Sequence, residues 1–215
     1  MKIAVETYYD DDQVAGISLY KHLWNVNVNM PFEPATSKFD AFFMQFAQSW
    51  GQIWLKKQWF EFITWYKNNC KEFFYDDKLP QFVAGWSNSS WLKYHIKYCV
   101  DNDKYFVYPY VGLATCFSDV GEHTGQKLSY LQIPLLEGVK EQYHLPQLVD
   151  KDVVKYDVFF ERQFNEGECR GIAFKDICLD LYGCKFLYED KRYIISSQSL
   201  PYHRIGSFGL EYRHH

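Results

Sequence analysis

Trp54-Leu55-Lys56-Lys57-Gln58-Trp59-Phe60-Glu61-Phe62-Ile63-Thr64-Trp65-Tyr66 is the stretch that sets the fold class. Trp54, Leu55, Gln58, Trp59, Phe62, Ile63, Trp65 and Tyr66 fall at spacings of one, three and four, while Lys56, Lys57, Glu61 and Lys67 take the other positions. That period predicts an amphipathic helix with an aromatic face, and it places Trp59, Phe62 and Tyr66 in the core. Working outward, a second helix is expected from Ser87 or Asn88 to about Cys99, with Trp91, Tyr94, His95 and Tyr98 on one side and Ser87 as its N-cap. Lys2 to Tyr9 has helical character, ended by Asp10-Asp11-Asp12, and Val14 to Tyr20 reads as a strand. Residues 22–39, rich in Asn, Pro and Ser, read as a long irregular connection. Phe39 to Phe46 is a strand or buried turn, and Tyr105 to Pro109 a strand ended by proline. From Asp157 to Arg213 short strands mixed with a helix fit best. Strands and helices interleave, so the expectation is one compact α/β domain over residues 1–215, with a mixed sheet and flanking helices.

Composition narrows the function classes. The 215 residues carry 23 Lys plus Arg against 27 Asp plus Glu, a formal net charge of −4, which argues against a nucleic-acid binder held by a general basic field. The hydrophobic fraction of 47% and charged fraction of 23% are those of a folded domain. Aromatic residues make up 20% of the chain, enough for a heavy core or for flat stacking floors. The longest uncharged stretches, Ala41 to Leu55 and Tyr105 to Ser118, fall short of the roughly 18 apolar residues a bilayer span needs. The acidic N-terminus does not read as a secretory signal, so the expected location is cytoplasmic. Six cysteines without metal-ligand spacing read as reduced thiols.

Three features could carry chemistry. Asp10-Asp11-Asp12 contains an Asp-x-Asp, an arrangement that suits hard divalent cations, but its place between a helix and a strand reads as a solvated turn. Asp119, Glu122 and His123 converge on a glycine-bounded loop within the polar stretch Thr115 to Ser129, where they could hold a metal, orient a phosphate or act as general base. Trp50, Trp54, Trp86 and Trp91 could stack on a sugar ring, although aromatic residues at helical spacing are more often core. No Gly-rich phosphate loop, G-x-S-x-G elbow or H-E-x-x-H helix occurs.

Several segments, in order, resemble the C-terminal, acceptor-side half of bacterial family 2 glycosyltransferases of the GT-A fold. They are Tyr9-Asp10-Asp11-Asp12 with Val14 to Tyr20, Ser49-Trp50-Gly51-Gln52-Ile53-Trp54 with Gln58-Trp59, and Trp86-Ser87 with Ser90-Trp91. Lys104 to Pro109, Gly121-Glu122-His123, Leu200-Pro201-Tyr202-His203 and Ser207-Phe208-Gly209-Leu210 follow. A more distant likeness is to N-acetylglucosaminyltransferase type I enzymes. The resemblance implies a partial GT-A-like sheet and a role in transferring sugar from a nucleotide-diphospho-sugar to a glycan acceptor in surface polysaccharide synthesis. It implies Trp50, Gln52, Trp54, Trp86, Trp91 and His123 as substrate contacts, and Asp119 and Glu122 as candidates for the base that deprotonates the acceptor hydroxyl. His123 is in addition a candidate metal contact, the metal being Mn2+ or Mg2+. In this alignment Asp10 to Asp12 match a later turn of the family, not its metal motif, and Asn88-Ser89-Ser90-Trp91 lacks the carboxylate that the type I enzymes carry near their tryptophan helix. The nucleotide-binding half is therefore expected from elsewhere, a longer enzyme or a partner, and a homodimer that buries the exposed face is expected beside it. Otherwise the domain is a non-catalytic carbohydrate-binding or protein-interaction module. A cytoplasmic place, peripheral to the inner membrane, follows from the same likeness.

Overall fold

Phe42, Phe43 and Met44 are consecutive and all fully buried, as in a strand covered on both faces. In the computed structural model, which describes residues 2–70, 76, 78–117, 132–186, 188 and 191–207, this strand sits inside a six-stranded sheet. The elements in chain order are α1 (Lys2–Tyr8), β1 (Val14–Ser18), β2 (Trp24–Asn25), β3 (Met30–Pro31), β4 (Ala41–Met44), β5 (Gln52–Ile53) and α2 (Lys56–Asn69). Then come α3 (Gln81–Ala84), α4 (Trp91–Asp101), β6 (Tyr105–Pro109), β7 (Lys155–Tyr156) and β8 (Arg162–Gln163). β9 (Glu168–Cys169), β10 (Ile172–Ala173), β11 (Ile177–Asp180) and β12 (Tyr193–Ser196) complete the order. The main sheet runs β5-β1-β6-β4-β7-β8, with β1–β6 and β4–β7 parallel and the other pairs antiparallel. The chain is thus a mixed α/β domain with one core sheet.

Alternation along the central strands divides the core into two layers. Ala15, Phe42, Met44, Phe106 and Tyr108 pack with Phe62 of α2 and Ile96, Tyr98 and Cys99 of α4. Ile17, Phe43, Tyr105 and Val107 face the opposite way and meet Tyr8 of α1 together with Leu148 and Val153. The Tyr8 hydroxyl donates to the Pro146 carbonyl at 2.7 Å, tying α1 to that segment. The register between β1 and β6 shifts between Val14 and Gly16, and a Cβ at Gly16 would overlap the Phe106 ring. Gly16→Ala is therefore expected to destabilise the domain by about 1–3 kcal/mol through overpacking. Urea unfolding measures this, and Phe106→Leu should relieve part of it.

Most expected elements appear near their expected places, with three corrections. Trp59 is 41% exposed: it stacks on Trp54 with centroids 4.6 Å apart on the outer side of α2, while Phe62 takes the core position. The N-cap of α4 is Ser90, whose Oγ accepts from Lys93 N at 3.4 Å. Ser87 instead bonds Ser89 within the preceding turn. In the C-terminal portion the described residues hold short strands and a 3-10 turn at Phe174–Asp176 in place of the expected helix. Residues 22–39 are irregular apart from the two-residue pair β2–β3. No disulfide links any of the six cysteines. No helix among the described residues is long and apolar enough to cross a membrane.

Candidate functional site: an uncharged aromatic cleft

The tryptophans singled out by sequence fall into three groups. Trp54 and Trp91 come together edge to face at 5.4 Å, at the junction of β5 and α2 and at the start of α4. Around this junction Gln52 Nε2, Trp54 Nε1 and Gln58 Nε2 are buried without a hydrogen-bond partner. Trp50 packs on Tyr20 at 5.1 Å. Trp86 meets Phe46 and Phe82 edge-on at 6.4 and 5.5 Å, and its carbonyl accepts from the Lys93 ammonium at 2.8 Å. Asp119, Glu122 and His123 lie outside the described residues. The Asp10–Asp12 turn offers no vacant set of carboxylates: Asp11 Oδ1 accepts from Gln13 N at 2.9 Å and Asp12 pairs with Lys57. Among the described residues no group of three or more His, Cys, Asp or Glu could hold a metal ion.

Next to Phe82, the ring neighbour of Trp86, opens a cleft of about 420 Å³. One wall is the turn after β2, with Asn27 and Val28; the second is α3, with Gln81 and Phe82; the third is the segment Tyr182–Cys184 with Phe186. No lining side chain carries a charge at neutral pH. The Cys184 thiol is no exception, since burial pushes it up to about 11. The polar side chains that remain are those of Asn27, Gln81 and Tyr182, and the first of them is incompletely used. Asn27 Nδ2 donates to the Val158 carbonyl at 3.2 Å, leaving its buried Oδ1 unpaired, while Asn25, behind the lining, accepts from Asn27 N through its Oδ1 at 3.0 Å. An unpaired buried amide group costs about 1–3 kcal/mol, so a spare acceptor in the wall of a cleft suits a ligand that donates to it.

A set of carboxylates builds the third wall. Asp157 Oδ1 accepts from Phe159 N and Glu161 N, both at 2.9 Å, closing a turn that holds Phe160 at φ 67. Asp157 Oδ2 accepts from the Lys185 ammonium at 2.6 Å. Burial works against the charge on Lys185, but the Asp157 carboxylate outweighs it and raises the lysine's pKa. Glu161, 2% exposed, accepts from Tyr182 N at 2.9 Å. Asp180 Oδ1 accepts from Cys184 N at 2.8 Å and Lys185 N at 3.1 Å. The cleft wall is therefore hung on Glu161 and Asp180 through its backbone amides and on Asp157 through the Lys185 ammonium. Burial raises Glu161 to about 7, which puts it in the range of a proton acceptor at neutral pH, one peptide unit behind the cleft surface. The sequence reading missed Asn25, Asn27, Asp157, Glu161 and Asp180. The available signal was carboxylates embedded in the apolar run Tyr156-Asp157-Val158-Phe159-Phe160-Glu161, where a charge is buried only with partners.

The site and fold together define a mixed α/β domain with a small, neutral, aromatic-walled binding cleft. Comparison with family models, with curated proteins and with solved structures finds no match to this chain.

Proposed function

We propose that this domain is the acceptor-side, sugar-contacting part of a glycosyltransferase that uses a nucleotide-diphospho-sugar with Mn2+ or Mg2+. The observation that carries the sugar reading is the uncharged cleft that Phe82 and Phe186 line together with Asn27, whose amide oxygen is buried and unpaired. Aromatic rings pack on the C–H face of a sugar, and a sugar hydroxyl can donate to the amide oxygen. A charged ligand would find no counter-charge in this cleft. The transferase reading rests on the ordered segments that resemble family 2 enzymes; in it Asp119 or Glu122 is the base and His123 contacts phosphate or metal. The nucleotide-binding half comes from further chain or a partner, and the enzyme works in the cytoplasm, peripheral to the inner membrane.

The second reading, a non-catalytic carbohydrate-binding module, is favoured by the same cleft, because its walls all come from this chain and need neither nucleotide nor metal. A glycan array followed by titration calorimetry tests both. Sugar binding is expected, and Phe82→Ala or Asn27→Ala should weaken it by about tenfold, the loss of one stacking or hydrogen-bond contact. Unchanged affinity in both variants would sink the sugar-cleft assignment. Transfer from a UDP- or GDP-sugar with Mn2+, abolished in Asp119→Asn or Glu122→Gln, selects the enzyme; sugar binding without nucleotide binding selects the module.

A further inference from the structure

A second and larger cavity adjoins the sugar cleft without sharing its lining residues: Leu181 and Gln198 line it, and Gln198 Nε2 donates to the Gly183 carbonyl of the cleft wall at 3.1 Å. It is a groove of about 1100 Å³ bounded by β12, the segment that follows it to Ser207, and the β9–β10 hairpin. In a chain of net charge −4, its described lining includes Arg170, Lys191, Arg192, Arg204 and His203 and no carboxylate. The hairpin loop is Arg170-Gly171, with both residues in the left-handed region at φ 51 and 78. A two-residue loop of this kind ordinarily takes Asn or Gly first, so a long cationic side chain is held there against its backbone preference. Gly206 approaches this arginine so closely that a Cβ there would lie 3.0 Å from Arg170 Nη1. Arg192 lies over the Tyr193 ring at 5.5 Å, and Lys191 donates to the Lys175 carbonyl at 2.6 Å. The cations thus come from three segments: the β9–β10 loop, the stretch leading into β12 and the stretch that follows it.

The remaining lining is of two kinds. Ile172, Ile177, Leu181 and Ile195 form apolar surface, and Ser196, Ser197 and Ser199 supply hydroxyl donors. Tyr202 and Ile205, 61% and 65% exposed, extend the apolar surface outward. Guanidinium forks and hydroxyls match the several oxygens of a phosphate better than they match a single carboxylate. The apolar wall has no use for a small hydrophilic anion. We propose that this groove binds a phosphate-bearing amphiphile, the phosphate at the arginine rim and the hydrocarbon along the isoleucine and leucine surface. The volume exceeds that of an ordinary small-molecule pocket, leaving room for a headgroup and a length of chain. This site is independent of the sugar cleft and of the transferase reading.

Calorimetry of the whole chain with decyl phosphate, inorganic phosphate, uncharged decyl maltoside and an oligoglutamate peptide tests it. Flotation with vesicles of phosphatidylcholine mixed with phosphatidylglycerol, against phosphatidylcholine alone, is run in parallel. Decyl phosphate is expected to bind at least about tenfold more tightly than any of the other three, and Arg192→Gln/Arg204→Gln to weaken it by about tenfold or more at low salt. Both arginines are exposed, so the variant should keep the wild-type unfolding midpoint. Capture of decyl phosphate monomers supports a single-molecule ligand, and flotation only with the anionic vesicles supports a bilayer as the source of the same chemistry. Inorganic phosphate or oligoglutamate binding as well as decyl phosphate, no binding in either arm, or binding unchanged in the double-arginine variant overturns the proposal.

Discussion

His22→Leu is expected to make the domain less sensitive to acid, widening its stability advantage over wild type by about 2 kcal/mol between pH 7.5 and pH 5. His22 is 2% exposed and lies among Phe32, Phe46, Tyr108 and Phe160, with centroids 5.2–6.3 Å away, and neither ring nitrogen has a partner. Burial lowers its pKa to about 4. Above the unfolded value near 6.5 both states are neutral and the full stability is present. As the pH falls below that value the unfolded chain takes up a proton that the folded one refuses, so stability declines until the folded pKa is reached. His95, lowered by burial to about 3 within its own aromatic surround, acts in the same direction. Glu161 acts in the opposite direction: its folded pKa of about 7 lies above its unfolded value, so folding gains stability as the pH falls through 7. Comparing urea unfolding of wild type and His22→Leu at both pH values cancels the Glu161 and His95 contributions. Parallel pH profiles would refute the assignment of His22 as a buried, neutral group. At pH 7.5 the variant should already match or exceed wild type, since it removes two unsatisfied buried nitrogens.

The central strands were legible in the sequence because strands buried on both faces read as unbroken apolar runs, as Ala41–Met44 and Tyr105–Pro109 do. Helix α2 was legible from its period, but the period could not say which side of an all-aromatic face goes inward. Trp59 went outward because Trp54, just before the helix, offers it a stacking partner. Ser87 and Ser90 are equivalent as N-caps by residue type; the buried Lys93, whose ammonium reaches back to the Trp86 carbonyl and to Asn88 Oδ1, holds the earlier serine in a turn. The cleft was illegible for a different reason. Its walls come from residues 27–28, 80–82 and 182–186, so no local pattern joins them, and two of its anchors are as distant in sequence: Glu161 accepts from Tyr182 N, and Asp157 pairs with the Lys185 ammonium. Trp86 touches Phe82 but does not itself line the cleft.

Asp157→Ala is expected to destabilise the domain by about 3–5 kcal/mol, because it leaves a buried ammonium without its counter-charge. The Asp157 and Lys185 side chains are 12% and 13% exposed, so water can replace the lost partner only in part. The same change unpairs Phe159 N and Glu161 N, the two amides that keep Phe160 in a left-handed conformation a phenylalanine otherwise avoids. Lys185→Met should cost less, since Asp157 keeps its two amide donors, and adding it to Asp157→Ala should restore part of the loss. That pattern separates the buried charge from the turn, as a double-mutant cycle in urea unfolding would read it. The consequence reaches the cleft through Glu161, which leaves the turn and accepts from Tyr182 N. Loosening the turn moves the anchor of the third wall, so the double variant should still bind sugar more weakly than wild type even where unfolding is negligible. Sugar affinity restored to the wild-type value in the double variant would mean that charge balance alone, and not the geometry of the 157–161 turn, shapes the cleft.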